Sequence, residues 1–189
     1  MTKKICFFIL YLFPVVAIAS PILALKSRVN INGTVVASTC SIVIDGGSSH
    51  QGLIDFGVYN KNGVNQQGVV NKPFTIKFYE KQSTVPGCSA FLAGDNRVAF
   101  SFGNHSLTQL DERGVITKGA GNNIRIAIAS TDDNVVSNHN KITSNNAVLT
   151  YPRDFASKGV FGFMATAEGL NKADAGTYRG ALSLVVTYQ

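Results

Sequence analysis

No tryptophan occurs in the 189 residues. That excludes the buried-Trp signature of antibody-type domains, though not a β-sandwich in general. There is no CxxC pair, and His50, His105 and His139 stand singly, so no metal-ligand set is offered. Lys and Arg outnumber Asp and Glu by 17 to 11, but they form no cluster of the kind that tracks phosphates, which argues against a nucleic-acid partner. No G-x-S-x-G elbow is present, and Asp55, the adjacent Asp132 and Asp133, and Glu168 lie far apart in sequence. Gly119-Ala120-Gly121 opens like a dinucleotide fingerprint, but its sixth position is Ile124 and no helical pattern follows, so it reads as a turn. The chain is expected to be no enzyme and to hold no cofactor. No segment keeps a helical period for ten residues.

What is present begins with an export signal. Lys3 and Lys4 precede an almost wholly apolar run, Ile5 to Ala19, with small residues at Ala17, Ala19 and Ala24. Charge, apolar core and small-residue exit make a secretory signal peptide. The run is interrupted by Pro14 and is shorter than the ~20 residues that span a bilayer. Cleavage after Ala19 satisfies the A-x-A rule; cleavage after Ala24 places Ile22 at −3. With the signal taken as 1–24, two lysines and Cys6 are removed, leaving 15 basic against 11 acidic residues, a net +4. Cys40 and Cys88 remain, an even pair that in an exported protein reads as a disulfide; two buried free thiols is the other reading. A bridge over that separation constrains the unfolded chain by about 4 kcal/mol.

The remainder reads as β throughout. Short runs rich in Val, Ile, Phe and Tyr alternate with Gly, Asn, Ser and Thr breaks. Strands are expected at Ser27–Ala37, Cys40–Ile44, Leu53–Val58, Phe74–Tyr79, Arg97–Phe102, Asn123–Ser130, Ala147–Tyr151, Gly159–Ala167 and Thr177–Gln189. The span Gly103–Gly121 is expected to be irregular. This spacing favours a sandwich over an α/β fold. Both ends alternate with period two. The first run places Val29, Ile31, Gly33 and Val35 on one face; the last places Leu182, Leu184, Val186 and Tyr188 on one face. An unpaired terminal strand invites pairing with another chain, whereas first and last strands of a closed sandwich show the same pattern.

Taken together in this order, the segment Val29 to Val35 with its inset Gly33, Cys40-Ser41-Ile42, Ile54-Asp55-Phe56-Gly57, Cys88, and the stretch from Gly176 to the penultimate Tyr188 resemble the pilin subunits of the chaperone–usher pathway, of the type 1 and P pilus kind. The resemblance covers the mature chain. It implies an all-β, incomplete immunoglobulin-like sandwich that lacks its final strand and is completed by a donor strand. It implies a donor-strand extension at 25–37 and a pilin domain at 38–189. Val29, Ile31, Gly33 and Val35 would enter a neighbour's groove, while Gly176, Leu182, Leu184, Val186 and Tyr188 would form the acceptor and chaperone-binding edge. The implied partners are a periplasmic pilus chaperone, an outer-membrane usher and neighbouring subunits. The implied destination, reached through the periplasm, is a cell-surface fimbrium. A single-domain fimbrial adhesin that binds a host glycan or receptor is the alternative.

Overall fold

The computed structural model describes residues 40–47, 52–61, 68–104, 106–120, 123–136 and 141–188. In chain order its strands are β1 (Ser41–Asp45), β2 (Val69–Tyr79), β3 (Arg97–Phe102), β4 (Leu110–Asp111), β5 (Gly114–Gly119), β6 (Arg125–Ser130), β7 (Lys141–Ile142), β8 (Val148–Pro152), β9 (Val160–Glu168), β10 (Tyr178–Gly180) and β11 (Leu184–Tyr188). A single helical turn, α1 (Arg153–Ala156), follows β8. Among the described residues no helix is long and apolar enough to cross a membrane.

All described strand pairs are antiparallel and fall into two sheets. The larger runs β1-β2-β9-β6-β5-β10, with β4 on β5 and β7 on β6; the smaller is β11-β3-β8. The path β1-β2-β9-β6 and the pair β11-β3 correspond to strands A-B-E-D and F-C of an immunoglobulin-type sandwich. Beyond β11, where strand G stands in that fold, no described strand pairs. The fold is thus all-β, as its alternating sequence predicts.

Alternation explains the core. Phe74, Ile76 and Phe78 of β2, Val98, Phe100 and Phe102 of β3, and Phe161, Phe163 and Ala165 of β9 point inward and are at most 6% exposed. Phenylalanine supplies the bulk that tryptophan does not. The Phe100 ring lies 4.5 Å from Phe161, 5.2 Å from Tyr151 and 5.7 Å from Phe78. Each such side chain contributes about 1.5–3 kcal/mol on burial. The Tyr151 hydroxyl, inside this cluster, donates to Ser130 Oγ at 3.0 Å. Ser130 passes the bond on to the Gly162 carbonyl at 3.4 Å, so the polar tip is not orphaned. Burial pushes the phenol's pKa well above its ordinary value.

Three expectations are corrected. Leu53–Val58 forms no strand. Its Asp55 carboxylate accepts from Gly57 N–H at 2.8 Å, and Gly57 takes φ 69°, a local turn that ends the extended run. Ile54 and Phe56 still alternate onto the core. Gly103–Gly121 is not irregular throughout, because β4 and β5 form a hairpin within it. The Asp111 carboxylate accepts from the N–H groups of Arg113 and Gly114 at 2.9 and 3.1 Å, and Arg125 of β6 pairs with its other oxygen. Charged and glycine residues hid this hairpin from a hydrophobic pattern.

Third, Thr177–Gln189 is two strands in different sheets. β10 pairs with β5, and β11 pairs with β3. The change of sheet is made where side chains are small. A Cβ on Gly180 would lie 3.2 Å from Val115 Cγ1, so the backbone there sits directly on β5. β2 also begins earlier than expected and runs through Pro73, opposite Met164 of β9. The register of β1 stops at Thr75, so β1 needs no hydrogen bond from Pro73.

Candidate functional site

The site is the edge of β11 that no described strand pairs. Leu184, Val186 and Tyr188 stand opposite Phe102, Phe100 and Val98 of β3. Cross-strand partners share a face, so all six point inward. Their burial differs, however. The β3 residues are at most 6% exposed, whereas Leu184, Val186 and Tyr188, with Leu182 just ahead of them, are only partly buried against the same core. What separates the two rows is cover. β3 has strands on both sides; β11 has β3 on one side and no described strand on the other.

Several contacts hold this edge in place. The Phe91 ring packs edge-on against Tyr188 at 5.2 Å. Gln109 Oε1 accepts from Ser183 N at 3.2 Å and from Asn104 N at 2.9 Å. Gly103 N donates to the Ser183 carbonyl at 2.8 Å. The segment Leu182–Tyr188 carries no charged side chain. Among the described residues no strand pairs the backbone of this edge, which lies above an apolar, partly covered floor, and the ligand that fits both is an extended strand with alternating apolar residues.

Cys40 and Cys88 are joined as a disulfide, with Cα atoms 5.9 Å apart. Cys88 is 2% exposed and leads into the 3-10 turn Ser89–Ala93, which carries Phe91. The bridge thus ties the residue just before β1 to the turn that seats the end of β11.

Of the residues singled out in the sequence, Leu182, Leu184, Val186 and Tyr188 are brought together along this edge. Gly176 is not among them. It is exposed and has φ 149°, and it precedes β10 at the end of the β5–β10 ladder, where Ala120 N donates to the Thr177 carbonyl at 2.9 Å. Val29, Ile31, Gly33 and Val35, like residues 1–24 read from the sequence as a signal, lie outside the described residues. Ile44, Ile54 and Phe56 were not anticipated as site residues. They are further partly buried apolar groups on the same core, and Phe56 lies 6.4 Å from the Tyr178 ring. The two-residue period of Ile54 and Phe56 was the signal that could have found them.

A family model described as K88 fimbrial protein A matches residues 1–189. No curated protein matches the sequence. Among solved structures, the one described as "Crystal structure of the P pilus rod subunit PapA" superposes with a TM-score of 0.48 at 18% identity, covering 87% of this chain and 100% of that one.

Proposed function

The chain belongs to the K88 fimbrial protein A family, and from that premise we propose that it is a structural subunit of a surface pilus that polymerises by donor-strand exchange. A periplasmic chaperone covers the β11 edge after export. At an outer-membrane usher, the N-terminal extension of the next subunit replaces the chaperone's strand. One observation carries this reading: the inward row Leu184, Val186 and Tyr188 is half covered at an edge that no described strand pairs. Val29, Ile31 and Val35 of the incoming extension fill that space, and Gly33 passes where the backbone approaches closely. Burying three such side chains stabilises the joint by on the order of 5–9 kcal/mol, before any main-chain pairing is counted.

No specific observation favours the adhesin alternative. The described part of 103–121 includes the β4–β5 hairpin closed by Asp111 and Arg125.

The test is refolding with and without a synthetic peptide of residues 27–37. The mature chain is expected to aggregate alone and to fold to a soluble 1:1 complex with the peptide. Peptides carrying Val29→Asp or Gly33→Trp are expected to fail. A soluble, reversibly folding subunit without chaperone or peptide refutes the proposal.

A further inference from the structure

Gly103, the residue after β3, takes φ 86°, a left-handed conformation that turns the chain out of its strand. The β3–β11 register would otherwise continue by one step, from Leu184 opposite Phe102 to Ser183 opposite Gly103. Half of that step survives, since Gly103 N donates to the Ser183 carbonyl at 2.8 Å. The other half is supplied by a side chain. Ser183 N, which an unbroken ladder would aim at the Gly103 carbonyl, donates to Gln109 Oε1 at 3.2 Å. The same oxygen accepts from Asn104 N at 2.9 Å. Both partners are donors, so the group between them has to be an acceptor. Gln109 is half-buried and sits just ahead of β4, where its own carbonyl accepts from Ile116 N of β5 at 2.9 Å.

We infer that Gln109 sets the length of the acceptor edge, by holding Ser183 in line with β11 so that Leu182 becomes its outermost position. The inference rests on the strand-exchange reading above. In an antiparallel ladder successive residues turn their backbone groups to opposite sides. Ser183 turns its N–H and its carbonyl toward β3 and the turn that follows it. Val185 and Thr187, opposite Ser101 and Ala99, therefore do the same. The backbone groups of Leu184, Val186 and Tyr188 then point to the edge that no described strand pairs. Those of Leu182 join them only while Ser183 is held, and the Leu182 side chain is already partly buried against the core. With Gln109 in place an incoming strand meets an edge that starts at Leu182. Without it, the edge starts at Leu184.

Gln109 acts here as a positioning residue, through Ser183, and its effect is local. Removing the acceptor leaves the N–H groups of Ser183 and Asn104 without their shared partner and releases 181–183, where the chain changes sheet. The expected loss is that of one or two hydrogen bonds, roughly 5- to 30-fold in affinity for a donor strand. It falls on the end of the donor strand that lies against Leu182, whereas a general loss of stability would weaken both ends alike.

The experiment refolds the mature chain with a fluorescent peptide of residues 27–37 and measures the dissociation constant by competition. Gln109→Leu keeps the bulk and removes the acceptor; Gln109→Glu keeps acceptor oxygens in its place. The expected result is a roughly 5- to 30-fold weakening for Gln109→Leu and a change of less than ~3-fold for Gln109→Glu. Peptides carrying Val29→Ala or Val35→Ala complete a double-mutant cycle with Gln109→Leu. One of the two peptide substitutions is expected to couple to Gln109→Leu by roughly 3-fold or more, and the other to be additive. Equal coupling at both ends, coupling at neither, or equal losses for Gln109→Leu and Gln109→Glu overturns the inference. Amide hydrogen exchange in the wild-type complex gives a readout that needs no variant to fold. Ser183 N–H is expected to exchange slowly, as Val185 does; exchange as fast as at Ala181 overturns the inference. A wild-type chain that binds no peptide overturns the strand-exchange reading, and this inference with it.

Discussion

Val185 and Val186 are neighbours of the same residue type on the same strand, and the structure assigns them opposite faces. Val186 points inward opposite Phe100 and is partly buried; Val185 points outward opposite Ser101 and is 55% exposed. Valine to threonine replaces a methyl by a hydroxyl at nearly constant shape and keeps the β-branch. It therefore leaves strand propensity largely untouched and probes the surroundings alone. At Val186 in a strand-filled groove the hydroxyl is buried without a partner, at a cost of about 1–3 kcal/mol. At Val185 it meets water or other outward groups, and the cost is within ~0.5 kcal/mol. For a fluorescent peptide of residues 27–37 bound to the subunit, Val186→Thr is expected to weaken binding roughly 5- to 150-fold. Val185→Thr is expected to change it less than ~3-fold. Stopped-flow or competition measurement of peptide release gives both numbers. Equal effects at the two positions, or a larger one at Val185, refute the assignment of the inward face of β11 as the acceptor surface.

Reduction of the Cys40–Cys88 bridge, which spans a sequence separation of 48, is expected to lower the stability of the peptide-filled subunit by about 4 kcal/mol, read as a fall in urea midpoint; thiol titration of the exported protein that finds two free thiols contradicts the bridge. Gly119 has φ 93°, and a Cβ there would lie 2.4 Å from the Thr177 carbonyl oxygen, so Gly119→Ala is expected to cost more than ~1 kcal/mol in chemical denaturation by parting β10 from β5; a neutral result contradicts that close approach. Partial burial pushes the Asp111 carboxyl upward, but the Arg125 guanidinium and the Arg113 and Gly114 N–H groups outweigh it and hold the pKa below the ordinary value. A depressed folded-state pKa contributes stability that is present above the unfolded value near ~3.9 and is lost as pH falls below it. Asp111→Asn is therefore expected to flatten the acid limb of the stability–pH curve, and an unaltered limb contradicts the role given to the pair.

The parts of the fold legible in the sequence were those a local pattern can encode. Period-two alternation located the second half of β2 and the strands β3, β6, β8 and β9 to within a residue or two. It could do so because Phe74, Ile76, Phe78, Val98, Phe100 and Phe102 each owe their inward position to the pleat of their own strand. The cysteine pair was legible because Cys6 falls in the segment read as a signal, which leaves two cysteines, and these are joined. The apolar face Leu182, Leu184, Val186 and Tyr188 was visible for the same reason as the core strands.

Tertiary structure decided the pairing. Alternation says that one face of a strand is covered, not by what, and pairing joins residues far apart in sequence: Val186 with Phe100, Tyr178 with Gly119. The uninterrupted alternation of 177–189 therefore concealed a change of sheet at 181–183, and the strand-like Leu53–Val58 joined no sheet once Asp55 and Gly57 closed a turn. The β4–β5 hairpin was invisible because a carboxylate and a guanidinium close it rather than an apolar row. The sequence determined that the last strand has an apolar face. Only the assembled sheets determined that this face lies at an edge and is half covered, because cover is a property of the strand beside it and not of the residues within it.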